Sequence, residues 1–406
     1  LVLTIMVIGA LGASYAILGG LRAVAVSDTL NGVGLLIVGV SVPWLGLQAL
    51  GEGSMGAGLN IVLTTETQKL NAIVGSVGPT PFATLFTGMV FANLFYWCTN
   101  QYVIQRTLGA RSLAEGQKGV LLSGFFKVLV PLLMMIPGVV AYHLYGPELQ
   151  SIDLAYPQLV RDVLPVYATG FFLAVLLGAV LSSFNSLINS ASTLFCIDVY
   201  QPLVGRVVSD TEMVRVAKRV GLVMTGFSLL VAPLLQFAAE GLWQVIRIFT
   251  GFYNIPMIAI VILGLLTRQV PAVAAKVVIV FHIIAYGTFQ FVLKDLLPVH
   301  FLHLYAILFG LEVAMMLAIG VWHPREDEAA IRQSAEVDLT PWAYAQPCAV
   351  TLLSCVVALY VVFSPIGLAG DGSNLFAPVL LGLLALNVLF WFGWHRRLTA
   401  DLGAHA

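Results

Sequence analysis

The feature that most constrains this chain is a series of eleven apolar runs. A helix needs about 20 mostly apolar residues to cross the hydrocarbon core of a bilayer. Backbone polar groups in lipid must be satisfied within the structure, and the sequence shows none of the alternating ten-residue segments of a barrel. The runs therefore predict an all-α integral membrane protein, with spans at 1–19, 27–49, 82–104, 118–144, 168–199, 217–238, 242–266, 271–292, 299–321, 348–366 and 375–394.

The composition agrees with this class and excludes others. Hydrophobic residues make up 59% of the 406 residues and charged residues only 10%, whereas about a quarter of a soluble domain is charged. The 19 Lys and Arg are balanced by 20 Asp and Glu, so no basic face is available for nucleic acid. The four cysteines have neither disulfide nor metal-ligand spacing; they are Cys98, Cys196, Cys348 and Cys355.

The cations predict how the helices are oriented. If the first loop is cytoplasmic, three cations lie outside (Lys69, Arg161, Lys294) and two lie within spans (Lys127, Arg247). The other fourteen lie inside, which is a strong positive-inside signal; they are Arg22, Arg106, Arg111, Lys118, Arg206, Arg215, Lys218, Arg219, Arg268, Lys276, Arg325, Arg332, Arg396 and Arg397. The longer polar segments 50–81 and 145–166 are then external. The segment 322–347 is expected to be a solvated cytoplasmic linker, with acidic residues Glu326, Asp327, Glu328, Glu336 and Asp338.

The beginning of the chain is also informative. Leu1 lies directly in an apolar run, with no charged region before it and no cleavage-like site after it. These features do not fit a signal peptide. We therefore expect the sequence to begin partway through a longer protein.

Polar residues recur on one stripe of the fifth predicted span. Ser182, Ser186, Asn189 and Thr193 are spaced i, i+4, i+7 and i+11, and Ser183 lies beside them. Hydroxyl and carbonyl oxygens are the hard ligands that an alkali cation prefers. Small hydroxyl residues also join helices or bond back to their own backbone, so the pattern alone leaves both interpretations open.

A second polar group combines carboxamides with aromatic rings. The run from Asn93 to Gln101 contains Phe95, Tyr96 and Trp97 between amide side chains. Such rings stack on the apolar face of a sugar while amides bond its hydroxyls. The same residues suit an interfacial aromatic belt equally well.

Two cations and one carboxylate lie within or at the ends of spans. Lys127 lies nine residues into its span, roughly 14 Å from Lys118, which favours a ligand or carboxylate partner over snorkelling. Arg247 lies near the outer end of its span, where snorkelling is an equal alternative, and Asp28 opens the second span, where it also suits a helix N-terminus. Four histidines show no ligand spacing and are predicted to be structural: His143, His282, His300 and His303.

Long motifs in these spans resemble the sodium:solute symporter family, in particular the sugar-transporting branch that includes the bacterial sodium/galactose symporter. Unassigned enterobacterial members are more similar still. The resemblance covers nearly all of residues 1–290. It rests on YAILGG (Tyr15–Gly20), ANLFYWCTNQYVIQRTLGARSLAEGQKG (Ala92–Gly119), AYPQLVRDVLP (Ala155–Pro165) and SSFNSLINSASTLFCIDVYQP (Ser182–Pro202).

The resemblance implies a transporter core of two inverted five-helix repeats, with ligands near the membrane midplane. The chain is then one transmembrane domain, 1–406. Residues 1–49 form the end of the first repeat, 82–266 the second repeat, and 271–406 contain additional helices. The first three core helices are expected to precede residue 1.

The resemblance also assigns roles to individual residues. The shared sodium site falls on the Ala179 carbonyl and on the Ser182 and Ser183 hydroxyls. A second sodium site, found in some members, falls on Asp28 with Ser183 and Ser186. The solute-binding positions fall on Asn93, Tyr96, Trp97, Lys127 and Arg247.

Arg247 departs from the family pattern, because sugar carriers have a glutamine at this position. A guanidinium fork suits an acid, so a sugar acid or another anionic solute is an alternative to a neutral sugar.

The predicted function is therefore sodium-coupled symport of a sugar or sugar-like solute by alternating access across the plasma membrane. The expected ligands are Na+ and a small solute, and the oligomeric state stays open. A non-transporting solute sensor is an alternative. An intramembrane enzyme is not expected, because the spans contain no HExxH motif, paired carboxylates or Ser/His pair.

Overall fold

The computed structural model describes residues 2–76, 78, 80–149, 151–237, 242–294, 296–297, 299–325, 337–370 and 373–404. These residues form helices and their connections. Within them the only β-type pairing is an isolated bridge between Ser112 and Asp338. The predicted all-α class is confirmed.

The chain divides into two compact units. Unit 1 comprises Leu1–Asn71, Ala114–Ala239 and Pro341–Ala406, and unit 2 comprises Ala72–Leu113 and Glu240–Thr340. The helices of unit 1 are α1 (Val2–Leu50), α2 (Met55–Thr64), α5 (Leu113–Val130), α6 (Ile136–Tyr145), α7 (Ala155–Val163), α8 (Val166–Leu194), α9 (Gln201–Val204), α10 (Asp210–Val231), α14 (Ala345–Val362) and α15 (Phe376–Ala404). Those of unit 2 are α3 (Gly88–Leu94), α4 (Gln101–Leu108), α11 (Leu242–Leu266), α12 (Ala272–Thr288) and α13 (Phe301–Trp322).

Nine helical segments in the described residues are long and apolar enough to cross a membrane, and each overlaps one of the predicted spans. They are Asp28–Leu50, Leu113–Tyr145, Val166–Val204, Asp210–Leu235, Leu242–Leu266, Ala272–Leu293, Phe301–Trp322, Ala345–Val362 and Phe376–Ala400. Three of them continue through π-helical turns, at Pro131–Met135, Phe195–Tyr200 and Phe289–Leu293. The prediction of a multi-pass membrane protein is confirmed.

The other two predicted spans differ from the expectation. The run at 1–19 joins the next one in a single helix, Val2–Leu50, so the expected non-helical loop is wrong. The loop region contains no proline, and the two adjacent glycines that precede it weaken a helix without ending it. The run at 82–104 is not one continuous helix, because the backbone is extended at Asn100, between α3 and α4.

Although its hydrogen bonding is continuous, α1 does not run straight. A Cβ at Gly12 would lie 2.8 Å from the ring of Phe184, and a Cβ at Gly34 would lie 2.6 Å from Val175, both on α8. The two glycines are about 33 Å apart along a straight helix, whereas Val175 and Phe184 are only about 14 Å apart. The helix must therefore bend between Gly12 and Gly34.

Each unit has its own apolar core. In unit 1, Val42 of α1, Val140 of α6 and Leu159 of α7 are fully buried in one cluster. In unit 2, Ile255 and Tyr286 belong to a cluster formed by α11, α12 and α13.

Part of the predicted cytoplasmic linker, 326–336, lies outside the described residues, including Glu326, Asp327, Glu328, Arg332 and Glu336. Of the described part, the residues up to Thr340 belong to unit 2 and those from Pro341 on belong to unit 1. The backbone N–H of Leu113 donates to the Asp338 carbonyl at 2.9 Å. The Asp338 carboxylate accepts from the backbone N–H of Thr340, also at 2.9 Å. Hydrogen bonds from the side chain and then the backbone of Thr340 lower the pKa of Asp338.

Candidate functional site

In unit 1, α1 and α8 pack in antiparallel register. Gly34 meets Val175, and one turn earlier on α1 Asn31 meets Gly178, where a Cβ would lie 2.3 Å from the Asn31 Oδ1 atom. Continuing this register by one more turn brings Asp28 level with the next turn of α8. The only carboxylate proposed for sodium thus lies on a helix in direct contact with α8.

That turn of α8 carries the residues predicted to bind sodium. Ala179 and Ser182 are half-buried, Ser183 is exposed, and Ser186 is buried. The Ser186 hydroxyl donates to the Ser182 carbonyl at 2.9 Å. Hydroxyl and carbonyl oxygens lie together here, as a weakly bound alkali cation requires.

The C-terminal half of the polar stripe has a different role. Thr193 is exposed, and its hydroxyl donates to the Asn189 carbonyl at 2.8 Å. Such bonds to the carbonyl four residues earlier satisfy a hydroxyl within its own helix. The interpretation as backbone-bonded hydroxyls therefore applies to Thr193, and in part to Ser186.

Sequence reasoning missed the most buried polar residue of α8. Asn185 is fully buried, and its amide nitrogen and oxygen have no hydrogen-bond partner among the described residues. It shares a helix face with Ile188 and Ser192, both of which contact Gly221 of α10. The spacing of three residues from Ser182 is the sequence signal that would have identified it.

In unit 2 the aromatic run lies at a break in a helix. After α3 the chain makes a π-helical turn over Phe95–Thr99, becomes extended at Asn100, and resumes as α4. π-Turns are frequent at functional sites. In a membrane, such irregular backbone is tolerated only where protein or a water-filled cavity covers it.

The predicted solute-binding residues of this segment are close to one another. The rings of Tyr96 and Trp97 meet edge to face, with centroids 5.3 Å apart. The Tyr96 hydroxyl accepts from the Tyr102 hydroxyl at 3.1 Å. Trp97 is 38% exposed. Its ring is thus accessible, whereas Tyr96 is half-buried and held in place by Tyr102.

Arg247 on α11 contacts the same segment. Its guanidinium donates to the Thr80 hydroxyl at 2.8 Å, approaches the Met89 sulfur at 3.6 Å, and lies over the Phe301 ring at 5.6 Å. The Asn93 amide donates to the Met89 carbonyl at 2.8 Å. Two predicted solute-binding residues thus contact Met89 at different atoms, Asn93 at the backbone carbonyl and Arg247 at the sulfur.

The turn of α11 that carries Arg247 is held by neighbouring helices. The Tyr305 hydroxyl donates to the Arg247 carbonyl at 2.9 Å, and the Tyr286 hydroxyl donates to the Ile248 carbonyl at 3.0 Å. Gly251 permits this, because a Cβ there would lie 2.4 Å from the Tyr305 oxygen. The position of Arg247 thus depends on a close approach between helices.

One titratable group at the edge of this cluster is perturbed. His300 precedes α13, and its ring nitrogen accepts from the backbone N–H of Leu302 at 3.3 Å. Burial, followed by the charges of Arg247 and His303, lowers the pKa of His300. The neutral ring is therefore favoured, as the accepting nitrogen requires.

Lys127 belongs to a different unit from the other predicted solute-binding residues. It is on α5 in unit 1, and its side chain is exposed. Three residues earlier, Gly124 contacts Leu352 of α14. Four predicted solute-binding residues thus belong to unit 2, and the role of Lys127 stays a prediction.

No three His, Cys, Asp or Glu side chains converge as a metal site within the described ranges. All four cysteines are free thiols. The oxygens of α8, together with Asp28, stay the predicted cation ligands.

Comparison with known proteins agrees with these features. A profile of the sodium:solute symporter family matches residues 1–277. The uncharacterized symporter YidK of Escherichia coli K12 is 39% identical over 397 residues, which cover 97% of this chain and 69% of YidK. The sodium/glucose cotransporter of Vibrio parahaemolyticus is 28% identical over 372 residues, covering 86% of this chain and 68% of that protein.

A solved structure shares the fold. It is the substrate-bound, outward-open state of a Na+-coupled sialic acid symporter, with a TM-score of 0.67 and 20% identity over 80% of this chain and 68% of that one. On the strength of the family profile and the similarity to YidK, this chain belongs to the sodium:solute symporter family, a family of transporters rather than enzymes.

Proposed function

We propose that this protein carries a sugar or sugar-like solute together with Na+ across the plasma membrane, in bacteria the inner membrane, by alternating access. The observation that carries the proposal is the Tyr96–Trp97 ring pair at the helix break, which follows Met89 of α3, a residue contacted by both Asn93 and Arg247. Relatives named sodium/glucose cotransporters support the choice of solute class.

These residues supply the chemistry of sugar recognition. A pyranose ring has an apolar face, which aromatic rings cover, and hydroxyls, which need directed hydrogen-bond partners. Trp97 and Tyr96 provide the rings. Asn93 provides an amide, and Arg247 provides a planar set of N–H donors.

For sodium we propose the Ala179 carbonyl with the Ser182 and Ser183 hydroxyls. Asp28, with Ser183 and Ser186, is the proposed second site. The antiparallel register of α1 and α8 supports this pairing, because Asn31, one turn from Asp28, touches Gly178.

Coupling of the two ligands is thermodynamic. If bound sodium raises the affinity of the outward-facing state for the solute, bound solute raises its affinity for sodium by the same factor. A membrane potential of 100 mV contributes about 2.3 kcal/mol per sodium ion. That free energy corresponds to about a fortyfold accumulation of a neutral solute.

Uptake into proteoliposomes tests the proposal. A panel of labelled hexoses is offered with and without an inward sodium gradient, using the wild type and Ser182→Ala. We expect sodium-dependent uptake that Ser182→Ala reduces at least tenfold at low sodium. The matched control is Thr169→Ala on the same helix, because its hydroxyl only bonds back to the Pro165 carbonyl.

The proposal fails if uptake ignores the sodium gradient or if Ser182→Ala matches the control. Thermal stabilisation by a hexose without any flux would instead indicate a solute sensor.

Arg247 favours a second candidate, sodium-coupled uptake of a sugar acid. Its two terminal nitrogens contact Thr80 and Met89, and the guanidinium is half-buried. This is a geometry in which a carboxylate can be bound by a fork of N–H donors.

Comparing a hexose with its uronic acid separates the two candidates. If the acid is the substrate, Arg247→Gln lowers its uptake and reduces the preference for the acid at least tenfold. Arg247→Lys keeps the positive charge but loses the planar pair of N–H donors, and it should retain part of the preference for the acid. An unchanged preference in Arg247→Gln removes Arg247 as the selector.

The role of Lys127 needs its own measurement. If the ammonium binds a solute hydroxyl, Lys127→Met raises the KM for uptake at unchanged protein stability. A similar KM in the variant and the wild type removes Lys127 from the solute site.

A further inference from the structure

A histidine and a glutamate are buried together among three helices of unit 2. His282 of α12 and Glu312 of α13 have no exposed surface. The His282 Nδ1 atom contacts the Glu312 Oε1 atom, and the Nε2 atom lies 2.9 Å from the Gly251 carbonyl of α11. The two residues lie within the predicted spans 271–292 and 299–321.

The geometry determines how many protons the pair holds. A carbonyl oxygen only accepts, so the Nε2 atom must carry a hydrogen. The Nδ1–Oε1 contact then needs one more proton between the two atoms. That proton makes either an imidazolium with a carboxylate or an imidazole with a carboxylic acid, and the pair is neutral in both cases.

Loss of this proton to solvent would leave a buried negative charge. The second carboxylate oxygen, Glu312 Oε2, has no hydrogen-bond donor among the described residues. The Nδ1 lone pair would at the same time face a carboxylate. An unpaired charge in an apolar interior is costly, so the folded structure retains the proton.

The pair also belongs to the set of contacts that holds the Arg247 turn. Three side chains from α12 and α13 donate to carbonyls within two turns of α11: Tyr305 bonds Arg247, Tyr286 bonds Ile248, and His282 bonds Gly251. The His282 and Tyr286 rings stack with centroids 5.6 Å apart. Disruption of the His282 contact would therefore release one of the three donors.

We propose that His282 and Glu312 form a buried proton-binding site that holds the α11 turn carrying Arg247, so that protonation of the pair is required for the native position of that turn. The proton site stands independently of the proposed transport. Only its effect on solute uptake rests on the proposed function.

Other titratable groups on the helices that pack around the pair are potential contributors to any pH dependence. Helix α3 has none. The others carry Arg247 and Tyr253 on α11, Lys276 and Tyr286 on α12, His303 and Tyr305 on α13 with His300 before it, and Tyr96 and Cys98 in the π-turn after α3.

A first test uses the pH dependence of unfolding of the purified full chain in detergent. Above about pH 6.5, a separated histidine and glutamate hold one exchangeable proton fewer than the folded pair. The contribution of the pair to the free energy of unfolding is therefore fully present below that pH and is lost as pH rises. The unfolding equilibrium constant increases up to tenfold per pH unit. The measured midpoint of thermal unfolding should fall from pH 6.5 to 9.

Glu312→Gln is the matched variant, because its amide N–H can donate to Nδ1 without an exchangeable proton. It should remove the alkaline fall in the midpoint. Glu115→Gln, at an exposed carboxylate paired with Lys118, should keep the wild-type dependence. An unchanged alkaline fall in Glu312→Gln overturns the proposal.

A second test uses only the wild type, so it does not depend on whether a variant folds. Nitrogen-15 spectra of histidine-labelled wild type are recorded at pH 8, where exposed imidazoles have lost their second proton. One of the seven histidines should keep both nitrogens hydrogen-bonded, and its signal should be unchanged from pH 6. If every histidine titrates as an exposed ring, the proton site does not exist.

The uptake assay then tests the link to Arg247. If a hexose or its uronic acid is carried, wild-type uptake should fall above the pH at which the midpoint falls, and Glu312→Gln should be less pH-dependent. If Glu312→Gln removes the pH dependence of the unfolding midpoint but leaves uptake unchanged, the proton site is supported and its link to Arg247 is overturned. Failure of all uptake would count against the proposed function alone.

Discussion

Replacing Gly251 by alanine tests whether the Arg247 turn is set by close helix packing. An alanine Cβ at this position would lie 2.4 Å from the Tyr305 hydroxyl oxygen and 2.7 Å from that of Tyr286. Neither distance is tolerated by real atoms, so both hydroxyls must retreat. Their hydrogen bonds to the carbonyls of Arg247 and Ile248, at 2.9 and 3.0 Å, would be lost or lengthened.

The expected cost follows from these contacts. Two weakened hydrogen bonds cost about 1 kcal/mol each, and overpacking adds about 1–3 kcal/mol. Higher helix propensity of alanine offsets about 1 kcal/mol. The free energy of unfolding should therefore fall by about 2–4 kcal/mol, which corresponds to a decrease of roughly 2–5 °C in Tm for a chain of this length.

Thermal unfolding of the full chain in detergent measures this, with Gly310→Ala as the control. Gly310 lies within α13 with no atom within 4 Å of an added Cβ, so the same substitution should leave stability equal or slightly higher. Adding Tyr305→Phe to Gly251→Ala removes the nearest clashing atom, and the double variant should lose less than the sum of the single losses. The reasoning is refuted if Gly251→Ala is as stable as Gly310→Ala.

Three further predictions concern other parts of the molecule. Burial and the charge of Arg247 lower the pKa of His300. The contribution of the neutral His300 ring to the free energy of unfolding is therefore present above about pH 6.5 and is lost as pH falls. His300→Gln should flatten the acid side of a plot of Tm against pH, and an unchanged acid side would contradict this. Gly178→Ala should displace Asn31, whose Oδ1 atom would lie 2.3 Å from the new Cβ, and should reduce sodium-dependent thermal stabilisation; equal stabilisation would show that this contact does not affect the cation site. Trp391→Phe removes a 2.8 Å hydrogen bond from α15 to the Thr351 hydroxyl of α14 and should lower the free energy of unfolding by about 0.6 kcal/mol. An unchanged free energy in a denaturation experiment would show that packing alone joins α14 and α15.

Much of the candidate site could be located from the sequence, because its residues are polar within apolar spans. Ser182, Ser183 and Arg247 stand out for this reason, and the family motifs name the same positions. Glu312 satisfies the same criterion, since it is a carboxylate inside the span 299–321, but the sequence gives no partner for it and predicts a structural role for His282. The two lie thirty residues apart, so only the packing of α12 on α13 reveals them as a pair.

Helix continuity was less predictable than helix number. A run of apolar residues reports burial in lipid, and it contains no information on whether the backbone stays helical throughout. The break at Asn100 and the bend of α1 are therefore properties of the packed structure. At Asn100 the local sequence contains neither glycine nor proline, so it gives no local signal.

The sequence by itself determined the class of protein, the nine spans that the described residues form, and the residue types available for cation and solute. These follow from the cost of placing polar groups in lipid, which acts on each residue separately. The tertiary structure decided which residues meet: Arg247 with Met89, Asn31 with Gly178, and His282 with Glu312. Such meetings depend on the register and close approach of helices distant in sequence, which no single helix encodes.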